Sequence, residues 1–369
     1  MLIIDTVRMN PFIVCSTRST RNYASSVIDC LSKYLSFSKI APQINGLDLL
    51  NTDRFADGEM EVSVSSSIRG RDVILFSSSA RNEAGINVEE AKIELYHAVD
   101  ALVRCQAARI IIFEPFISSS RSDRTTRRSS VGLWVHLKTL SSLGACHIVT
   151  FQLHSDKSKT MLDPAFYAMD DIPALNLLKK YLCDTYIKTI DKLENDVRNN
   201  WAFCSVDAGG EKLARNFANS FGAPLVVAHK QRDYSKPNSV ESINILSADP
   251  VEGKSLWIVD DMIDTASSVE KLIRALSHLK PKEINIVSVH SLFSSPAVEK
   301  LEALSKEGLL NRLIVTDTVC CINYKQNIKG LEIVNSCELA AQIIKAIINN
   351  ESMSNLLKPF NADEYLSTK

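Results

Sequence analysis

"SLWIVDDMIDTASSVEKLIRALSHL", residues 255–279, decides the fold. Five mostly apolar residues, 255–259, have the length and character of a strand buried on both faces. Two adjacent aspartates, Asp260 and Asp261, follow, then Asp264 and the small residues Thr265, Ala266, Ser267 and Ser268. From about Ala266 the pattern changes period: Val269, Leu272, Ile273 and Leu276 recur at helical spacing. Strand, polar turn and amphipathic helix in immediate succession form the unit of an α/β fold.

The same alternation runs through the chain. Strand-like runs occur at 12–15, 72–77, 109–113, 147–151, 201–205, 224–228, 283–289 and 312–316. "NVEEAKIELYHAVDALVRC" (87–105) is an amphipathic helix placed between two of them. The expected fold class is α/β, with two doubly wound parallel-sheet domains. The pattern is complete once before and once after about residue 165. The expected domains are therefore 1–165 and 166–336, with a helix and tail over 337–369 free to pack back on the N-terminal domain. Polar stretches at 117–130 and 229–243 break the alternation, and loops of that length inside compact domains tend to carry function.

Of 369 residues, 45% are hydrophobic and 23% charged, which is globular composition with material for two cores. The net charge of −1 lacks the basic excess of a nucleic-acid binder, so any anion site must be local. Nine cysteines, an odd number without CxxC spacing, read as free thiols in a reducing compartment. No run of about 18 apolar residues exists to span a membrane, and "MLIIDTVRMN" has no signal-peptide core. The expectation is a soluble cytoplasmic protein.

In open α/β sheets ligands bind at the carboxyl ends of strands. Asp260 and Asp261 fall at that edge, and the first N–H groups of the following helix lack intrahelical partners. "DTASS" thus reads as a phosphate cradle, with hydroxyl donors at Thr265, Ser267 and Ser268. Carboxylates repel phosphate but accept hydrogen bonds from sugar hydroxyls or hold a metal. Together they point to a phosphorylated sugar. An ordinary strand–loop–helix with an acidic cap fits the same residues.

"IVDDMIDTASS" resembles the ribose 5-phosphate loop of phosphoribosyltransferases and of the ribose-phosphate pyrophosphokinases. "RFADGEMEVSVSSSIRGRDVILFSSS" (54–79), "PFISSSRSDRTTRRSS" (115–130), "VTFQLHSDKSKTMLDP" (149–164) and "CSVDAGGEKLARNFANSFGAPLVVAHKQR" (204–232) resemble segments of the second family, in its order, from about Phe12 to about Glu351. The resemblance implies a phosphoribosyltransferase-like fold and transfer of pyrophosphate from ATP to the C1 hydroxyl of ribose 5-phosphate, giving phosphoribosyl pyrophosphate and AMP. It implies ATP binding by Phe55, Asp57, Glu59, Arg121, Ser122 and Asp123. Ribose 5-phosphate falls to Asp260, Asp261, Asp264, Thr265, Ala266, Ser267 and Ser268. Magnesium falls to His154 and Asp207, and catalysis to Lys230 and Arg232 on a flexible loop. It also implies an assembly: a homo-oligomer built from dimers, up to a hexamer, or a hetero-oligomer with a homologous subunit. The chain departs from the family pattern at Ser122 (usually Gln), Gln152 (usually Asp), and Ser267 and Ser268 (usually Gly and Thr). Those departures keep a non-catalytic regulatory subunit as an alternative, and a phosphoribosyltransferase as a more distant one.

Overall fold

The computed structural model describes residues 12–35, 44–125, 128–165, 167–231, 242–247 and 249–369. It divides into two compact units, Met1–Ile172 with Ser336–Leu357, and Pro173–Asn335 with Lys358–Lys369. The C-terminal stretch is therefore split: its helix belongs to the first unit and its last residues to the second.

In the first unit, β1 (Phe12–Ser16), β4 (Asp72–Phe76), β5 (Arg109–Glu114), β6 (His147–Phe151) and β7 (Ala168–Ile172) form a parallel sheet in the order β1-β4-β5-β6-β7. A separate antiparallel hairpin joins β2 (Leu50–Arg54) to β3 (Met60–Val64). Helices α1 (Arg21–Leu35), α2 (Val88–Arg104) and α3 (Gly132–Leu143) complete the alternation. Strand side chains alternate between faces. Ile13, Leu75 and Ile112 pack with Leu95, Leu102, Leu133 and Leu140 of α2 and α3. On the opposite face Phe76 stacks on Phe113 at 4.8 Å, and Tyr23 of α1 lies 5.9 Å from Phe76. The helix Cys337–Asn349 joins α1, where the Tyr23 and Ser336 hydroxyls are 2.7 Å apart.

The second unit has seven strands in the order β10-β9-β8-β11-β12-β13-β14. They are β8 (Trp201–Ser205), β9 (Leu225–Gln231), β10 (Ser242–Ser247), β11 (Ser255–Ile263), β12 (Glu283–Ser291), β13 (Arg312–Thr316) and β14 (Leu331–Val334). All neighbours are parallel except β10 on β9. Helices α4 (Leu175–Leu182), α5 (Glu211–Phe221), α6 (Ser267–Ser277) and α7 (Ala297–Lys306) cover it. Val269, Leu272, Ile273 and Leu276 of α6 are all buried against the sheet, as their spacing requires. The other face is aromatic: Trp201 lies 4.9 Å from Trp257, and Phe203 stacks on Phe221 at 5.3 Å. Each such buried large side chain contributes roughly 1.5–3 kcal/mol, more than a typical surface ion pair.

Among the described residues the nine strands expected from sequence are present, and five more accompany them. β2, β3, β7, β10 and β14 escaped because they lie at edges or in the hairpin and mix polar with apolar residues, so no continuous apolar run marks them. β11 is longer than expected. It runs to Ile263 because β12 continues beside it, pairing Asp260 with Ser288 and Ile263 with Ser291. On its other side pairing stops at Val259 with Ser205. In α2 the buried face is Ala91, Leu95, Ala98, Val99 and Leu102, while Val88, Ile93 and Val103 face outward. Asn87 caps that helix, its side chain accepting from the Glu90 N–H at 2.9 Å. None of the nine cysteines is in a disulfide. No helix of the described residues is long and apolar enough to cross a membrane.

Candidate active site

The second sheet has one place where the winding reverses. From β8 the chain moves outward to β9 and β10, then returns to lay β11 on the other side of β8. Such a reversal opens a crevice at the carboxyl ends of the two strands. Asp207 follows β8, and Asp260 and Asp261 occupy the part of β11 that outruns β8. The acids expected in a loop are thus held on a strand, with fixed orientation.

Burial, before anything else, holds the Asp260 carboxyl well above the ordinary carboxylate range, and the charges of Asp261 and Asp207 push the same way. The Asp261 N–H donates to Asp260 Oδ1 at 2.9 Å and pulls against them. A carboxyl that keeps a proton can donate as well as accept, which suits sugar hydroxyls.

The cradle turns at Ala266, whose φ of 57° is left-handed. Ser267 and Ser268 follow as the first helical residues of α6, so neither needs the positive φ that glycine would provide. The Ser267 and Thr265 hydroxyls are 3.2 Å apart, and Lys300 Nζ donates to Ser267 Oγ at 2.7 Å. Beside β8, Asp207 Oδ1 accepts from the Gly210 N–H at 3.1 Å. A Cβ on Gly209 would sit 3.2 Å from that oxygen, so glycine keeps the carboxylate's flank open.

The first unit carries other candidate residues. Phe55, Asp57 and Glu59 form the tip of the β2–β3 hairpin. The tip is closed by Phe55 N–H to Glu59 O and Gly58 N–H to Phe55 O, both 2.9 Å, and Asp57 Oδ1 accepts from Glu59 N–H at 3.1 Å. Phe55 is 54% exposed although aromatic, which core packing does not explain. The hairpin is tied to α2 by Arg54, which donates to Gly58 O and to Glu90 Oε1, each at 2.6 Å. Arg54 and then Arg18, by hydrogen bonding, hold the Glu90 carboxyl below its usual range.

Arg121, Ser122 and Asp123 lie after β5, in a loop knotted by local bonds. Ser119 has φ 64°, Ser122 N–H donates to Ser119 O at 2.7 Å, and Ser122 Oγ accepts from Gly132 N–H at 2.9 Å. Ser122 thus ties the loop to the first turn of α3. Lys92, nearly buried, donates to Ser119 Oγ at 3.1 Å. Arg121 is exposed, and Arg127 lies outside the described residues.

His154 is exposed just after β6. Lys230, expected in a loop, is on β9, its backbone opposite Ile243 of β10. The polar stretch hid this because β10 is an edge strand whose Ile243 and Ile245 alternate with polar neighbours. Arg232 lies outside the described residues. Sequence reading missed Lys92 and Lys300, which reach these loops from helices distant in sequence. Nothing in local spacing signals that approach.

Fold and crevice together define an α/β protein of phosphoribosyltransferase type. The family description "Phosphoribosyl transferase domain" matches residues 177–307, and "N-terminal domain of ribose phosphate pyrophosphokinase" matches 12–144. The ribose-phosphate pyrophosphokinase of Chlorobaculum tepidum is 30% identical over 316 residues, covering 85% of this chain and 89% of that one. That of Bacillus caldolyticus is 30% identical over 329 residues, covering 88% and 96%. The crystal structure of phosphoribosylpyrophosphate synthetase from Mycobacterium smegmatis superposes with a TM-score of 0.75 at 24% identity, over 92% of this chain and all of that one, and shares its fold. The chain belongs to the ribose-phosphate pyrophosphokinase family, and the expected enzyme activity is that of this family.

Proposed function

We propose that this chain binds ribose 5-phosphate in the β8/β11 crevice and passes it pyrophosphate from ATP. The observation that carries the reading is the pairing of a strand-held acidic pair with a helix-entry turn. Backbone N–H groups and hydroxyls of Asp264, Thr265, Ala266, Ser267 and Ser268 receive the 5-phosphate, while Asp260 and Asp261 take the ring hydroxyls. Phe55, Asp57, Glu59, Arg121, Ser122 and Asp123 serve the nucleotide, the exposed Phe55 ring by stacking on adenine. The C1 hydroxyl attacks the β-phosphorus, the bond to AMP breaks, and AMP leaves. Lys230 and Arg232 neutralise charge developing on the transferring group.

Magnesium fits this donor set. Among the described residues no three His, Cys, Asp or Glu side chains converge on a cage. A hard cation bound chiefly through substrate phosphates requires only one or two protein ligands. We assign Asp207, on its glycine-flanked turn, as such a ligand in the second unit, and His154 as one in the first. Bound there, magnesium would supply charge neutralisation of the triphosphate. We read the chain as a cytoplasmic enzyme, supported by nine cysteines without a disulfide, and as an oligomer of like or homologous subunits, supported by the exposed Phe55.

The test is direct. Purified chain with Mg²⁺, ATP and ribose 5-phosphate should release AMP and phosphoribosyl pyrophosphate one to one. AMP appearing only after a homologous second chain is added would make this chain a regulatory subunit.

A further inference from the structure

The ammonium group of Lys300 occupies a place that local electrostatics disfavours. Lys300 stands in the first turn of α7, its N–H donating to Pro296 O at 3.2 Å. Its side chain does not extend away but crosses to the first turn of α6, where Nζ lies 2.7 Å from Ser267 Oγ and 3.4 Å from Glu270 Oε2. Both turns are the positive ends of helices, where a cation is unfavourable and an anion favourable. Glu270 offsets this only in part, because Arg274 also reaches it, at 3.6 Å. Lys300 is 25% exposed, so its charge is partly shielded from water yet open to a ligand.

We propose that Lys300 is a binding residue for the 5-phosphate of ribose 5-phosphate, positioned by Ser267. The inference rests on the reading of 264–268 as the phosphate cradle. A phosphate carries about −1.5 to −2 charges at neutral pH, and it arrives beside Asp260, Asp261, Asp264 and Glu270. Helix amides supply partial charges, and Lys300 supplies a full one. The Ser267 hydroxyl, accepting from Lys300 and contacting Thr265 at 3.2 Å, holds the ammonium at the rim. On phosphate binding, Lys300 exchanges Glu270 for the ligand.

Calorimetry of ribose 5-phosphate with the full chain, without nucleotide, tests this. Lys300→Met should weaken binding roughly tenfold to a hundredfold, the range of a charge-assisted hydrogen bond. Its dissociation constant should also respond less to added salt. Lys300→Arg should restore most of the affinity, and Glu270→Gln should leave it equal or tighter. ATP affinity should not move in any of them. Wild-type affinity in Lys300→Met, or equal weakening in Glu270→Gln, would overturn the assignment while leaving the cradle intact. No binding of ribose 5-phosphate to the wild type would overturn both.

Discussion

The two units start from the same alternation of strand and helix and arrive at different kinds of site. The first sheet orders its strands β1-β4-β5-β6-β7, and the chain also bridges the outer side of β1 in parallel, Asn45 to Val14, before β4 is laid on the other side. Its candidate residues sit on appendages: a hairpin tip tied to α2 through Arg54 and Glu90, and a loop knotted by Ser119 and Ser122. The second sheet reverses between β8 and β11, and its candidate residues lie on the strands and the helix entry themselves. Placement relative to the strand ends, not composition, separates a site built into the scaffold from one carried on appended loops. A crevice has fixed geometry, which suits orienting a small sugar phosphate. An exposed hairpin suits stacking on a base.

The comparison can be broken at several points. Lys230→Ala should lower kcat by at least about a hundredfold, as loss of a transition-state donor does. Its ribose 5-phosphate dissociation constant should stay near wild type, and steady-state kinetics with calorimetry checks both. Near-normal turnover would remove catalysis from β9.

The second unit also contains a buried cation unrelated to the crevice. Lys179 on α4 is fully buried, 5.0 Å from the Phe217 ring centre and 3.5 Å from Asn176 Oδ1, and burial pulls its pKa down to about 8. The unfolded chain then binds the proton more tightly than the fold, so stability attributable to this group is lowest below pH 8 and rises towards the unfolded value of 10.5. The stability difference between wild type and Lys179→Met should shift by about 3 kcal/mol across that window in the wild type's favour. Denaturant melts at pH 7 and above 10 measure it. A difference independent of pH would mean that the fold holds the Lys179 proton as tightly as the unfolded chain does, with no shift from burial.

In the first unit, Phe55→Ala should raise KM for ATP roughly tenfold, the lower part of the range for stacking a base. Its Tm should not change, because the ring is exposed. A lowered Tm with unchanged KM would make the hairpin structural. The smallest effect concerns the turn: Ala266→Gly should stabilise the fold by up to about 1 kcal/mol, since glycine adopts positive φ without steric penalty.

What the sequence made legible follows from how far each signal reaches. β11 and α6 were readable because apolar periodicity is local, and Val269 to Leu276 are buried as it requires. The acidic pair and cradle were readable because they sit between those elements. The register that carries β11 to Ile263 was not, since it depends on β12. Edge strand β10 was hidden by polar alternation, so Lys230 read as part of a loop. The left-handed turn at Ala266 was not legible, because φ is not written in residue type. Lys300 and Lys92 could not be found at all, because their approach depends on helix packing.

Hydrogen exchange with each substrate alone tests the central claim most directly. Ribose 5-phosphate should slow exchange at amides 264–270 of the second unit and leave 54–60 and 117–125 of the first unchanged. Protection by ribose 5-phosphate in the hairpin or the serine loop, with none at 264–270, would contradict the assignment of the sugar phosphate to the β8/β11 crevice.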